Sequence, residues 1–131
     1  MRVRPRRPAR SLAALLATLV LVSMAACSSA ATAPPSVPAD AIKLSARDLA
    51  FSTDKLVVPA GKPFTISLDI LESASHNVAI YTDDSFSNLV YKEDARNGPG
   101  TFLFNVPALA AGTYAFRCEI HTNMKGTLTA G

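Results

Sequence analysis

The sequence predicts an all-β fold, a sandwich or barrel of short strands. Three observations carry that expectation. Several windows alternate apolar and polar residues with a period of two. Breaks bearing Gly, Pro, Ser or Asp separate those windows at short intervals. No window longer than ten residues keeps a helical period.

The elements follow in order. Ile42, Leu44 and Ala46 alternate with Lys43, Ser45 and Arg47, the pattern of a half-buried strand. Lys55-Leu56-Val57-Val58 is a second short strand, closed by the turn Pro59-Ala60-Gly61-Lys62-Pro63. Phe64, Ile66, Leu68 and Ile70 alternate with Thr65, Ser67 and Asp69 until Glu72-Ser73-Ala74-Ser75 interrupts. From His76 to Tyr81 one strand is expected, with His76, Val78 and Ile80 on one side and Asn77, Ala79 and Tyr81 on the other. Thr82 to Gly100 is polar and reads as loop, with a short strand or turn at Leu89-Val90-Tyr91. Phe102, Phe104 and Val106 form a strand that Pro107 ends. After the turn Ala111-Gly112, Thr113 to Cys118 is a strand with Tyr114, Phe116 and Cys118 on one face. Gly126 to Thr129 is the last strand.

Ahead of these strands the composition changes. Of 131 residues, 13 are basic, and five of those are arginines within the first ten. Residues 11–26, SLAALLATLVLVSMAA, are apolar except for Ser11, Thr18 and Ser23. A cationic start, a short apolar run and a small-residue boundary predict an export signal over residues 1–26. The run falls short of the ~20 residues that a spanning helix needs. Met24-Ala25-Ala26-Cys27 resembles a bacterial lipobox, with Met24 where Leu is usual. That resemblance implies lipid on the sulfur of Cys27, a membrane anchor and a place in the extracytoplasmic cell envelope. Arg6-Arg7 leaves both the general secretory and the twin-arginine routes open. Residues 27–41 then read as a tether, since Ser, Ala and Pro bury too little apolar surface to offset the cost of ordering. Residues 42–131 are the folded domain, small enough to need a tight core, a metal or both.

Charge and cysteine counts exclude several classes. From residue 27 onward there are 8 basic and 10 acidic residues, a balance of −2, which argues against nucleic-acid binding. Two cysteines are too few for a disulfide-stapled miniprotein, a four-cysteine zinc site or an iron–sulfur cluster. CxxCH, GxGxxG and GxxxxGK[ST] are all absent, so haem attachment and nucleotide loops are not indicated.

The chemistry gathers in four side chains. After Cys27 the chain holds one Cys, two His and one Met: Cys118, His76, His121 and Met124. Three fall in the seven residues Cys118-Glu119-Ile120-His121-Thr122-Asn123-Met124. Taken singly, each has a bland reading, because buried Cys and Met commonly serve packing. Taken together, one thiolate, two imidazoles and a weak thioether make the blue-copper ligand set. Cys118 ends a strand on its inward face, the next turn carries His121 and Met124, and His76 starts another strand after a polar break. Zinc prefers carboxylate to thioether, and a binuclear copper centre needs a second Cys in the loop. A Cys27–Cys118 disulfide is the competing reading of the two sulfurs.

Here the sequence resembles the cupredoxins, the small blue-copper proteins. The segment Gly112 to Leu128, GTYAFRCEIHTNMKGTL, carries the resemblance, with Ser75-His76-Asn77-Val78 upstream. The Cys-x2-His-x2-Met spacing is that of an amicyanin-like short loop. The resemblance implies a Greek-key sandwich of about eight strands with one type 1 copper at one end. It implies His76, Cys118 and His121 as equatorial ligands, Met124 as axial ligand, and Asn77 as the residue that fixes the ligand loop. Glu119 stands where many members have Ser or Thr, and Thr122 where Pro commonly follows the second His.

Two function classes follow. The first is a monomeric one-electron carrier, lipid-anchored beside membrane redox enzymes and working with a redox partner protein. The second is a copper-buffering or delivery protein without such a partner; those sites are often Met- or His-rich, and here no spare Met or His remains. An enzyme would need a second copper or an open coordination position, and no ligands are left to build one.

Overall fold

The computed structural model describes residues 36–131. The predicted leader, Cys27 and the tether up to residue 35 lie outside the described residues. Residues 36–41 are irregular, and the chain enters its first strand as the Ala41 side chain becomes buried.

Eleven strands follow, with no helix among the described residues: β1 Ile42–Arg47, β2 Ala50–Phe51, β3 Lys55–Val58, β4 Phe64–Ile70, β5 Ser75–His76, β6 Ala79–Tyr81, β7 Leu89–Lys92, β8 Arg96–Asn97, β9 Gly100–Val106, β10 Gly112–Arg117 and β11 Lys125–Ala130. Without the two-residue pieces β2, β5 and β8, eight remain. One sheet has the order β2-β1-β4-β9 and the other β3-β11-β10-β6-β7, while β5 and β8 pair separately. β1 runs parallel to β4 and β3 parallel to β11; the other pairs are antiparallel.

The period-two pattern explains the core. Leu44, Ile66, Leu68, Ile70, Phe104 and Val106 of one sheet share one buried cluster with Leu56, Val58, Ile80, Phe116 and Leu128 of the other. Burial of each such side chain stabilises by roughly 1.5–3 kcal/mol relative to exposure. Phe51, from the short β2, joins across the layers with its ring centroid 5.6 Å from that of Phe116. The predicted all-β sandwich is therefore the observed one.

Two elements differ from the sequence expectation. The strand expected over His76 to Tyr81 is split: Ser75–His76 pairs with Arg96–Asn97, whereas Ala79–Tyr81 joins the larger sheet. All six residues from His76 to Tyr81 are buried, so alternation could not report which side faced the core. The polar stretch from Thr82 to Gly100 contains the expected short strand at Leu89–Lys92 and also β8. Gly98 lies within that stretch. A Cβ there would sit 2.1 Å from the Glu72 carbonyl oxygen and 2.3 Å from Ile70 Cγ2, so only glycine permits this close approach.

Candidate metal centre

Two segments converge at one end of the sandwich. The first is the turn between β10 and β11. β10 ends at Arg117, and Cys118 follows on the inward face with Phe116, both fully buried. The turn is closed by its own backbone: Cys118 N–H donates to the Met124 carbonyl (2.9 Å), and Met124 N–H donates to that of His121 (2.9 Å). These bonds return the chain so that Met124 is buried at 2% exposure while His121 keeps one part open to solvent.

The second segment runs from the end of β4 through Asn77. His76 is fully buried. Its Nδ1 lies 4.0 Å from Cys118 Sγ, and His121 Nδ1 lies 3.9 Å from the same sulfur. The ligand atoms of His76, Cys118 and His121 all fall within 4.8 Å of one another. The two imidazole centroids are 4.9 Å apart.

Those distances suit a metal. An ion ~2.3 Å from sulfur and ~2.0 Å from nitrogen holds the two donors about 3.7 Å apart in a trigonal plane and about 3.5 Å apart in a tetrahedron. The observed 3.9–4.0 Å lies closer to the trigonal value. The donors, one sulfur and two ring nitrogens beside a buried thioether residue, are those that copper takes.

Asn77 and Glu119 tie the two segments together. Asn77, 3% exposed, accepts from Glu119 N–H through Oδ1 (2.8 Å) and donates through Nδ2 to the Glu93 carbonyl (2.9 Å). The residue after His76 is thus tied to the residue after Cys118. The Glu119 side chain takes part as well: Tyr81 donates its hydroxyl to Oε1 (2.9 Å), and Lys92 Nζ lies 3.4 Å from Oε2. Burial opposes ionisation of Glu119. The Tyr81 hydroxyl, the Lys92 ammonium and the Asn77 amide outweigh it and hold the carboxyl below the usual range.

Glu72 was not singled out by sequence reasoning. Its Oε1 lies 2.9 Å from His76 Nε2 and accepts Leu49 N–H at 3.1 Å. The Leu49 N–H, aided by His76, holds Glu72 below the usual carboxylate range against the opposing effect of burial. Glu72 precedes His76 by four residues in a non-helical stretch, where that spacing signals nothing.

The model of the cupredoxin-like domain family matches residues 12–130. This chain belongs to the cupredoxin-like family. Solved structures of the same fold include the dithionite-reduced auracyanin of Roseiflexus castenholzii, 20% identical, covering 70% of this chain and 97% of that one at a TM-score of 0.60. Auracyanin A of Chloroflexus aurantiacus, described as a blue copper protein, is 22% identical, covers 70% and 98%, and has a TM-score of 0.61. The amicyanin of Paracoccus versutus is 23% identical, covers 72% and 85%, and has a TM-score of 0.56. Among curated proteins none matches the sequence.

Proposed function

We propose that this cupredoxin-like chain holds one type 1 copper and works as an extracytoplasmic one-electron carrier. The observation that supports it is the convergence of two imidazole Nδ1 atoms on one buried thiol, 3.9 and 4.0 Å away. Copper bound there would cycle between Cu(II) and Cu(I), which the mixed soft and borderline donor set accommodates. His76, Cys118 and His121 are the proposed equatorial ligands and Met124 the axial one. The two auracyanins and amicyanin have the same fold, and auracyanin A is described as a blue copper protein.

The chain's own residues divide the work. Cys118 and His76, both fully buried, keep water from the donor cluster. Asn77 and the backbone bonds of the turn hold the donors in place before metal arrives, so little rearrangement accompanies a change of charge. His121, partly exposed between the exposed Ile120 and Thr122, is the route by which a redox partner reaches the site. Copper-loaded chain should show an intense blue absorption from the thiolate–copper bond. A Cu(II)-loaded chain without that absorption would return Cys118 to the role of packing residue.

The lipid anchor is a further part of the reading, supported by the basic start, the apolar run and Met24-Ala25-Ala26-Cys27. Stable anchoring takes more than one acyl chain. Cys27→Ala should release the protein from the membrane fraction or leave it unprocessed. Normal maturation with unchanged retention would remove the anchor from the account.

A further inference from the structure

The loop between β1 and β2 has two residues, Asp48 and Leu49, since Arg47 pairs with Ala50. Both lie in the left-handed region, with φ of 53° and 56°. A two-residue hairpin loop with positive φ at both positions normally carries Asn-Gly or Asp-Gly. Leu is disfavoured in that conformation, because its Cβ crowds the following carbonyl oxygen. Its side chain does not compensate by packing, being exposed. Its backbone is instead bonded outward on both sides. Leu49 N–H donates to Glu72 Oε1 (3.1 Å), and the Leu49 carbonyl accepts from Asn123 Nδ2 (3.1 Å).

Each partner belongs to a different ligand segment. Glu72 Oε1 is also the atom 2.9 Å from His76 Nε2. A carboxylate oxygen only accepts, so the imidazole hydrogen sits on Nε2 and the lone pair on Nδ1 points at Cys118. Asn123 lies between His121 and Met124, on the other segment. From the far side the Gly98 backbone packs against Glu72, leaving no room for a Cβ.

We infer that Glu72 and the left-handed Asp48-Leu49 turn are a positioning unit that holds both histidine segments, fixing the tautomer of His76 through Glu72 and the turn of His121 through Asn123. The inference rests on the copper reading for its purpose, but its geometry is a property of the chain without metal. Glu72 and Asn123 are positioning residues and need not touch the ion. Outer partners of this kind commonly change metal affinity by about 10- to 100-fold when removed.

The test is proton exchange followed by NMR on the full chain without metal. In the wild type the His76 Nε2–H should exchange slowly. Glu72→Ala should speed its exchange at least about tenfold, the expectation for a buried donor left without its acceptor. Glu72→Gln keeps one oxygen that can accept from both donors, so it should restore slow exchange. After copper loading it should shift the reduction equilibrium toward the reduced form, on the order of tenfold, because one negative charge is gone. Leu49→Gly keeps both backbone groups and favours positive φ, so it should leave His76 protected. Asn123→Ala should speed exchange of the Met124 amide, which closes the turn on the His121 carbonyl. Equal exchange of the His76 Nε2–H in wild type and Glu72→Ala overturns the inference, as does a Leu49→Gly variant that matches Glu72→Ala. Unchanged amide exchange in Asn123→Ala overturns the bridge to His121. A wild-type chain that binds Cu(II) without turning blue sinks the copper reading and leaves these metal-free measurements standing.

Discussion

The turn from Cys118 to Met124 and the stretch from Glu72 to Asn77 deliver donors to the same point by different means. The turn is local: three donor residues within seven positions, closed by two backbone bonds whose partners are three and six residues apart. The Glu72–Asn77 stretch is held by residues distant in the chain. Asn77 is bonded to Glu119, 42 positions away, and Glu72 to Leu49, 23 positions away. The turn is partly open, through His121 and Thr122, whereas His76 and Asn77 are buried. A contiguous loop can carry the exposed donor because its own backbone bonds close it, and the Asn123 tie to Leu49 adds one outside support. A donor supplied from elsewhere in the fold has to be buried and bonded to be fixed at all.

The most severe way to break that comparison is to remove the residue both segments face. Cys118→Ser should abolish the blue absorption. It should weaken copper binding by more than the ~100-fold that loss of an outer hydrogen-bond partner can cost. Competition with a copper chelator measures this, and a variant that stays blue would exclude Cys118 as a ligand.

The difference in exposure can be sharpened with the two histidines. His121→Gly should leave a gap open to solvent, and added imidazole should restore the blue spectrum. His76→Gly leaves its gap inside the fold, so rescue should need higher imidazole or fail. Better rescue of His76→Gly would mean that the open edge belongs to the other imidazole. Electron exchange in rescued His121→Gly should remain slow, since the partner-facing ring is no longer part of the chain.

A smaller effect separates the two amides. Asn77→Ala leaves the part-buried Glu119 N–H and Glu93 carbonyl without their partner, a loss of about 1–3 kcal/mol. For a domain of this size each kcal/mol is about 4–8 °C in Tm. Asn123→Ala removes one exposed bond and should cost about 1 kcal/mol or less. Thermal melts of the metal-free protein compare them. Equal losses would show that burial does not separate the two segments.

Much of this architecture was legible from residue order. The strands at Ile42–Arg47, Phe64–Ile70 and Gly100–Val106 appear where period-two alternation predicts them, the last starting two residues early. A strand with one buried face records that face in its sequence. The candidate donors Cys118, His121 and Met124 were legible because a turn of seven residues can be read as one unit. His76 was legible from its residue type and the polar break before it. The short strands β2 and β8 were not, since two residues show no period.

Other features were decided only when the chain folded. The expected strand from His76 to Tyr81 divides between two pairings because both its faces are buried, which removes the alternation that would mark it. Glu119 departs from the Ser or Thr of the resemblance, yet its backbone N–H still meets Asn77 and its side chain finds Tyr81 and Lys92. No local pattern foretells those partners, which come from other strands. The same holds for Glu72, Asp48-Leu49 and Asn123. A left-handed Leu and a carboxylate four residues before a histidine carry no periodic or spacing signal. Their meaning arises from the packing that places β1, β4 and the β10–β11 turn side by side. Sequence alone determined which donors exist and which strands could form, because those depend on residue type and on neighbours a few positions away. Tertiary structure decided which nitrogen of His76 faces the thiol, because that depends on one hydrogen bond to a side chain fixed from across the fold.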